Sequence, residues 1–254
     1  MEFVVVIPAR YASTRLPGKP LLDIAGKPLI QHVYERGVAS NASDVIIATD
    51  DVRIQEVATS FGAKVCMTSS EHPSGTDRIA EVVKKQGYGP EQIIVNLQGD
   101  EPLIPLGLLH QVANNLYDNP QASMATLCEQ ITSPQDLFNP NIVKVITDQK
   151  GNALYFSRAP IPWERDAGEE WGKANCSMQT LHYRHIGLYA YRVSFLNEYT
   201  TWSACELEQT EALEQLRAMW YGHKIHVAEA VEPSVIGVDT EEDLNQVRKH
   251  FNKS

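Results

Sequence analysis

The chain has 254 residues and carries 22 Lys and Arg against 32 Asp and Glu, a formal charge of −10. That length fits one large α/β domain or two smaller ones, and the acidic balance excludes the broad basic face that non-specific nucleic-acid binding needs. The apolar run Phe3–Ile7 is too short for a secretory signal or a membrane span. Cys66, Cys128, Cys176 and Cys205 are scattered without metal-type spacing, so a cytoplasmic protein with reduced thiols is expected.

Strand and helix patterns alternate from the first residues. Phe3–Ile7 reads as a buried parallel strand, Pro28–Ala39 as a helix and Val45–Ala48 as a second strand leading into Asp50-Asp51. Val52–Phe61 reads as a helix stopped by Gly62, Lys64–Met67 as a strand, and Thr76–Gln86 as a helix capped by Ser74 or Thr76 and ended by Gly87. Ile93–Leu97 follows as a strand that runs into Gln98-Gly99-Asp100-Glu101-Pro102. The order predicts an α/β fold with a mostly parallel sheet and right-handed crossovers.

The second half is less regular. Met124–Leu127, Ile142–Thr147, Leu154–Ser157, His185–Tyr191 and Ile225–Ala228 read as strands, Glu206–Trp220 as one helix, and Thr240–Phe251 as a helix capped by Thr240. Pro160–Thr180, rich in Pro, Gly, Trp and charge, reads as a long loop that acts as a lid or a dimer arm. No linker tract divides the chain, so residues 1–254 are expected to form one domain, with about 126–200 as an inserted smaller subdomain.

Chemistry is concentrated at the expected strand ends, where open parallel sheets hold their ligands. Between Phe3 and Leu22 the chain carries Arg10, Arg15 and Lys19 and no carboxylate. Such a loop suits a polyphosphate, gripped by cations and backbone N–H groups; the plainer alternative is a solvated basic loop. It is neither a dinucleotide fingerprint, for want of three glycines, nor a Walker loop, because Pro20 follows Lys19 and Ser13 stands where the first glycine belongs. Asp100, after Leu97, is a candidate Mg²⁺ ligand or a turn residue. Asp239 reads equally as a second metal carboxylate or as a cap beside Thr240. Ser74, Gly75 and Arg78 open a helix whose free N–H groups suit an anion, or they form an ordinary capped helix with an exposed Arg. His185 and Tyr189 share a strand face; Glu214 is either a site residue or a solvated flank. His182 and His185, three apart on a strand, face opposite ways and make no zinc pair.

The motifs Pro8-Ala9-Arg10-x-x-Ser13-x-Arg15-x-x-x-Lys19-Pro20-Leu21, Ser74-Gly75-Thr76-Asp77-Arg78 and Asn96-Leu97-Gln98-Gly99-Asp100-Glu101-Pro102 resemble those of the sugar-nucleotide cytidylyltransferases. With Ala153–Ala159, Arg184–Tyr189, Leu213–Arg217 and Gly237–Thr240, the likeness is to the branch that activates 3-deoxy-manno-octulosonate (Kdo), and it spans essentially the whole chain; Asp166–Met178 corresponds least.

The resemblance implies a three-layer Rossmann-like fold of the nucleotide-diphospho-sugar transferase type. It implies a Mg²⁺-dependent reaction of CTP with Kdo to CMP-Kdo and pyrophosphate in lipopolysaccharide biosynthesis, by a cytoplasmic homodimer. It assigns Pro8, Ala9, Arg10, Ser13, Arg15, Lys19, Ser74, Gly75, Arg78 and Gln98 to the nucleotide, with Lys19 also catalytic at the α-phosphate. Asp100 and Asp239 become catalytic metal ligands. The sugar falls to Gln98, Arg158, His185, Tyr189, Glu214 and Gln215, with residues 126–200 giving sugar-binding and dimer contacts. No nucleic-acid or membrane partner is implied. The competing readings are a transferase for sialic acid or a UDP-sugar, and an idle nucleotide-binding protein.

Overall fold

Strand β1, Phe3–Ala9, is apolar throughout because both of its faces are covered. Val5, Ile7 and Ala9 enter one hydrophobic cluster, and Val4 and Val6 enter another on the far side of the sheet. Two cores on one strand require layers on both faces, and that division organises the molecule. The computed structural model describes residues 1–12, 16–72, 74–165, 178, 180–235 and 237–252. Ser13, Arg15, Cys176 and most of the predicted 160–180 loop lie outside the described residues.

After a 3₁₀ turn at Lys19–Leu21 and a short hairpin, β2 (Asp23–Ile24) and β3 (Lys27–Pro28), the chain enters helix α1, Leu29–Ala39. Next come β4 (Asp44–Thr49), α2 (Val52–Ser60), β5 (Lys64–Met67), α3 (Gly75–Gln86) and β6 (Ile93–Asn96). Ser74 is the cap of α3, accepting from the Asp77 N–H at 3.1 Å, and left-handed Gly87 ends the helix. Helix α4, Leu106–Asp118, was not predicted, although Leu108, Leu109, Val112, Ala113 and Leu116 recur at helical spacing and are all buried.

The remainder is β7 (Met124–Ile131), α5 (Pro134–Phe138), β8 (Lys144–Thr147), β9 (Ala153–Ser157), β10 (His182–Arg192) and α6 (Val193–Tyr199). It closes with α7 (Glu206–Glu211), α8 (Gln215–Trp220), β11 (Ile225–Glu229) and α9 (Glu241–Phe251). The predicted helix over 206–220 is therefore two helices. Ala212, in the left-handed region at φ 52° and ψ 52°, breaks it, without the Gly or Pro that would announce a break.

Among the described residues nine strands form one sheet, whose main path runs β11-β7-β10-β6-β1-β4-β5, with β8 and β9 branching from β10. All neighbours along the main path are parallel except β10, which is antiparallel to both β6 and β7. The fold is α/β and mostly parallel, as expected. Residues 126–200 add β8, β9, β10 and most of β7 to the same sheet as the first half. Helices α1, α2, α4 and α9 cover the face of Val5 and Ile7, while α3, α6 and α8 cover the face of Val4 and Val6.

Candidate active site

The loop after β1 is folded back on itself. Left-handed Gly18 donates its N–H to Tyr11 O at 3.1 Å, and a Cβ there would crowd the Tyr11 ring at 3.1 Å. This fold-back presents Lys19 toward the carboxyl end of β6. Lys19 Nζ lies 2.7 Å from Asp100 Oδ2 and 3.1 Å from Asp239 Oδ1. Desolvation pulls the Lys19 pKa down, but the two carboxylates outweigh it and hold the ammonium above its ordinary value.

Two backbone features bring the carboxylates there. At Gly99 a Cβ would stand 2.7 Å from Pro8 O, so glycine alone allows the β6 turn to press against the β1 loop. The Val238 N–H donates to Asp100 O at 2.8 Å, which staples the segment carrying Asp239 to that turn. Thr240 also caps α9 through the Asp243 N–H, so Asp239 stands at a helix entry with its own carboxylate on Lys19. The cap role expected of this segment falls to Thr240, and the Asp239 carboxylate stays on Lys19.

A cavity of ≈ 390 Å³ opens here, lined by Pro8, Ala9, Arg10, Lys19, Gly75, Gln98, Asp100 and Asp239 among others. The Arg10 guanidinium donates to His72 O at 2.6 Å and Ser74 O at 3.2 Å, bracing the loop against the start of α3. Ser74 is buried in its capping role. Arg78 is placed elsewhere than the sequence assignment expected. It is fully buried one turn into α3, with Nη2 on Asp50 Oδ2 at 3.0 Å and Nη1 on the Thr68 hydroxyl. It ties the ends of β4 and β5 together and lines neither cavity described here.

Gln98 and Gly75 also line a second, adjoining cavity of ≈ 270 Å³. Its wall is aromatic: Tyr189 and Tyr191 stack at 5.7 Å, and Tyr191 stacks on Phe195 at 6.0 Å. Polar groups interrupt it. Thr76 Oγ1 donates to Glu214 Oε2 at 3.0 Å, while Asn96 Oδ1 and Gln215 Nε2 are buried with no hydrogen-bond partner among the described residues. Part of Glu214 is exposed, but the cavity wall crowds its carboxyl, and desolvation raises its pKa despite the Thr76 and Ser74 hydroxyls. Apolar ring faces with a few convergent hydrogen-bonding groups suit a polyhydroxylated ligand.

Tyr189, Glu214, Gln215 and Gln98, four of the residues named for the sugar, line this one cavity. His185 stands behind Tyr189, ring to ring at 5.2 Å, with Nε2 3.0 Å from Thr126 Oγ1; burial holds its imidazole neutral, its pKa pushed down to about 3. Arg158 does not line the cavity, because backbone carbonyls engage its guanidinium: Glu211 O at 2.6 Å, Pro140 O at 2.9 Å and Ala212 O at 3.4 Å. The sequence reading missed Thr76, Asn96, Tyr191, Phe195 and Tyr199 as cavity residues. Alternation could have found two of them, since Asn96 precedes Gln98 by two and Tyr191 follows Tyr189 by two. No group of three or more His, Cys, Asp or Glu placed to hold a metal occurs among the described residues.

A lysine held between two carboxylates and two adjoining cavities stand at the strand ends, where open α/β sheets hold their ligands. The cytidylyltransferase family model matches residues 4–225. Proteins named 3-deoxy-manno-octulosonate cytidylyltransferase from Idiomarina loihiensis and Vibrio vulnificus are 56% and 57% identical over 249 residues, 98% of this chain and of each relative. The solved structure of a CMP:2-keto-3-deoxy-manno-octonic acid synthetase complexed with CTP superposes with a TM-score of 0.89 at 42% identity, covering 100% of this chain and 99% of that one. The chain belongs to the 3-deoxy-manno-octulosonate cytidylyltransferase family.

Proposed function

We propose that this protein activates Kdo with CTP, giving CMP-Kdo and pyrophosphate. The observation that carries the reading is the pair of adjoining cavities joined by Gln98 and Gly75, with Lys19, Asp100 and Asp239 on the wall of the first. The anomeric hydroxyl of the sugar acid forms a bond to the α-phosphorus as the bond to pyrophosphate breaks in line. Positioning and charge neutralisation dominate such a transfer.

In this reading Pro8, Ala9 and Gly75 shape the nucleotide end of the first cavity and Lys19 neutralises charge on the α-phosphate. Arg10, and Arg15 with Ser13 beyond the described residues, serve the triphosphate. Arg78 serves the fold, bracing the ends of β4 and β5 through Asp50 and Thr68. Tyr189, Glu214, Gln215 and Gln98 hold the sugar, His185 backs Tyr189, and Arg158 supports the segment that carries Glu214. The donor set fits Mg²⁺: two carboxylates from separate loops leave the remaining positions to phosphate oxygens and water, as that ion prefers, and both already face a cation in Lys19. Bound there, Mg²⁺ would supply Lewis-acid neutralisation of the phosphates and lower the pKa of the attacking hydroxyl. The further expectations are a homodimer, a cytoplasmic location and a role in lipopolysaccharide biosynthesis.

The test is pyrophosphate release from CTP and Mg²⁺ with Kdo, with sialic acid, and with neither. Release with Kdo alone supports the reading. Release only with sialic acid reassigns the sugar, and none with either leaves a nucleotide-binding protein.

A further inference from the structure

Four consecutive residues, Ala212, Leu213, Glu214 and Gln215, line the aromatic cavity. A continuous helix cannot do this, because each residue turns about 100° and four in a row sweep most of the circle. The break at Ala212 makes it possible, and a non-glycine residue in the left-handed region persists only where its surroundings over-determine it. The question is what imposes the break.

The side-chain contacts of Glu211, and those its carbonyl and that of Ala212 accept, lead to β9 and the residue after it. The Glu211 carboxylate accepts from Ser157 Oγ at 2.6 Å and from the Arg158 N–H at 2.9 Å. In return the Arg158 guanidinium donates to the carbonyls of Glu211 and Ala212, two groups that the broken helix leaves unpaired. Arg158 O is held in turn by Lys144, register partner of Ser157 across β8 and β9. Lys144 is fully buried, and its ammonium donates to Arg158 O at 2.6 Å, Ile142 O at 2.6 Å and Asn139 O at 3.0 Å. All three of its hydrogens are thus spent on backbone. Burial pushes its pKa down to about 8, against the pull of Glu211.

We infer that Glu211 and Lys144 are positioning residues for sugar recognition. Working through Arg158, they hold the left-handed break at Ala212 and thereby turn Glu214 and Gln215 onto the cavity wall. Neither side chain touches that cavity. The inference rests on the assignment of this cavity to Kdo.

The experiment compares wild type with Glu211→Ala, Glu211→Gln and Lys144→Met, measuring KM for Kdo and for CTP separately, thermal melting, and amide hydrogen exchange over residues 211–216 without substrate. Wild-type turnover of Kdo tests the underlying reading; the variants test the inference. Glu211→Ala is expected to raise KM for Kdo by about 10- to 100-fold, leave KM for CTP within about twofold, and speed exchange at 211–216. Glu211→Gln keeps an acceptor for the Arg158 N–H and can still pair with the Ser157 hydroxyl, so it should restore most of the loss. Lys144→Met should repeat the selective rise; if it does not fold, the Glu211 pair decides. The inference is overturned if folded Glu211→Ala keeps its KM for Kdo, or if both KM values rise together.

Discussion

Lys19 and Asp100, 81 positions apart in the chain, meet at 2.7 Å, and Asp239 joins them from 220 positions away. The protein thus neutralises its two candidate metal carboxylates with a cation of its own. Asp100→Asn and Asp239→Asn keep shape and remove charge. Each is expected to lower turnover by at least about 10²–10³-fold, the cost of removing one preorganised charge contact in an active site, with the melting temperature little changed. The Mg²⁺-induced rise in melting temperature should also vanish in both. A normal rate together with a normal Mg²⁺ shift in either variant removes that residue from the site.

Lys19→Ala should act on kcat more than on KM for CTP, if the ammonium meets charge that grows in the transition state. The same residue sets an alkaline limit. Its folded pKa is raised above 10.5 by the two carboxylates, so its stabilising effect is complete below that value and lost as pH climbs through the folded value. Urea midpoints across that range should fall more steeply for wild type than for Lys19→Met.

Arg78 offers a sharp discrimination. If it braces β4 and β5 through Asp50 and Thr68, Arg78→Ala leaves a carboxylate without its buried partner and costs about 3–5 kcal/mol. The folded fraction should still bind CTP normally. A stable variant with weakened CTP binding would return Arg78 to the nucleotide.

Acid should loosen the same region. Desolvation pushes the Glu81 carboxyl up, but Lys85, the Ser69 N–H and His72 outweigh it and bring its pKa to about 2. A carboxylate depressed in the fold stabilises above its ordinary 4.5 and loses that contribution as pH falls toward 2. Glu81→Gln should therefore cost about 1–3 kcal/mol at neutral pH and flatten the acid limb of the stability curve. Because Glu81 grips the segment whose His72 carbonyl receives Arg10, CTP binding should weaken too.

The legible parts of the molecule were those in which neighbouring residues decide the outcome. Phe3–Ala9 announces a strand covered on both faces, Ser74 announces a helix start three residues before Asp77, and the rule of strand ends brings Lys19, Asp100 and Asp239 together. Helix α4 is equally legible from Leu108, Leu109, Val112, Ala113 and Leu116, which recur at helical spacing. The fates of the arginines were not. Whether a cation is free for a ligand depends on acceptors supplied from afar: Asp50 and Thr68 for Arg78, and the Glu211 and Ala212 carbonyls for Arg158. The break at Ala212 had no local signal, since Arg158, which binds the Glu211 and Ala212 carbonyls, and Lys144, which binds Arg158 O, come from far earlier in the chain.

The placement of β10 bears on how the chain is made. Its neighbours β6 and β7 are complete by residue 131, yet the strand that separates them spans His182–Arg192. While a ribosome synthesises the intervening stretch, β6 can pair only with β1, and β7 has neither of its partners, β10 and β11. The open edge of β6 and the two open edges of β7 must stay apart over that interval, although β6 and β7 could pair directly with each other. The nascent protein is therefore most exposed to mispairing and aggregation before Arg192 emerges, and stalled chains ending between residues 131 and 182 should engage chaperones more than shorter or longer ones.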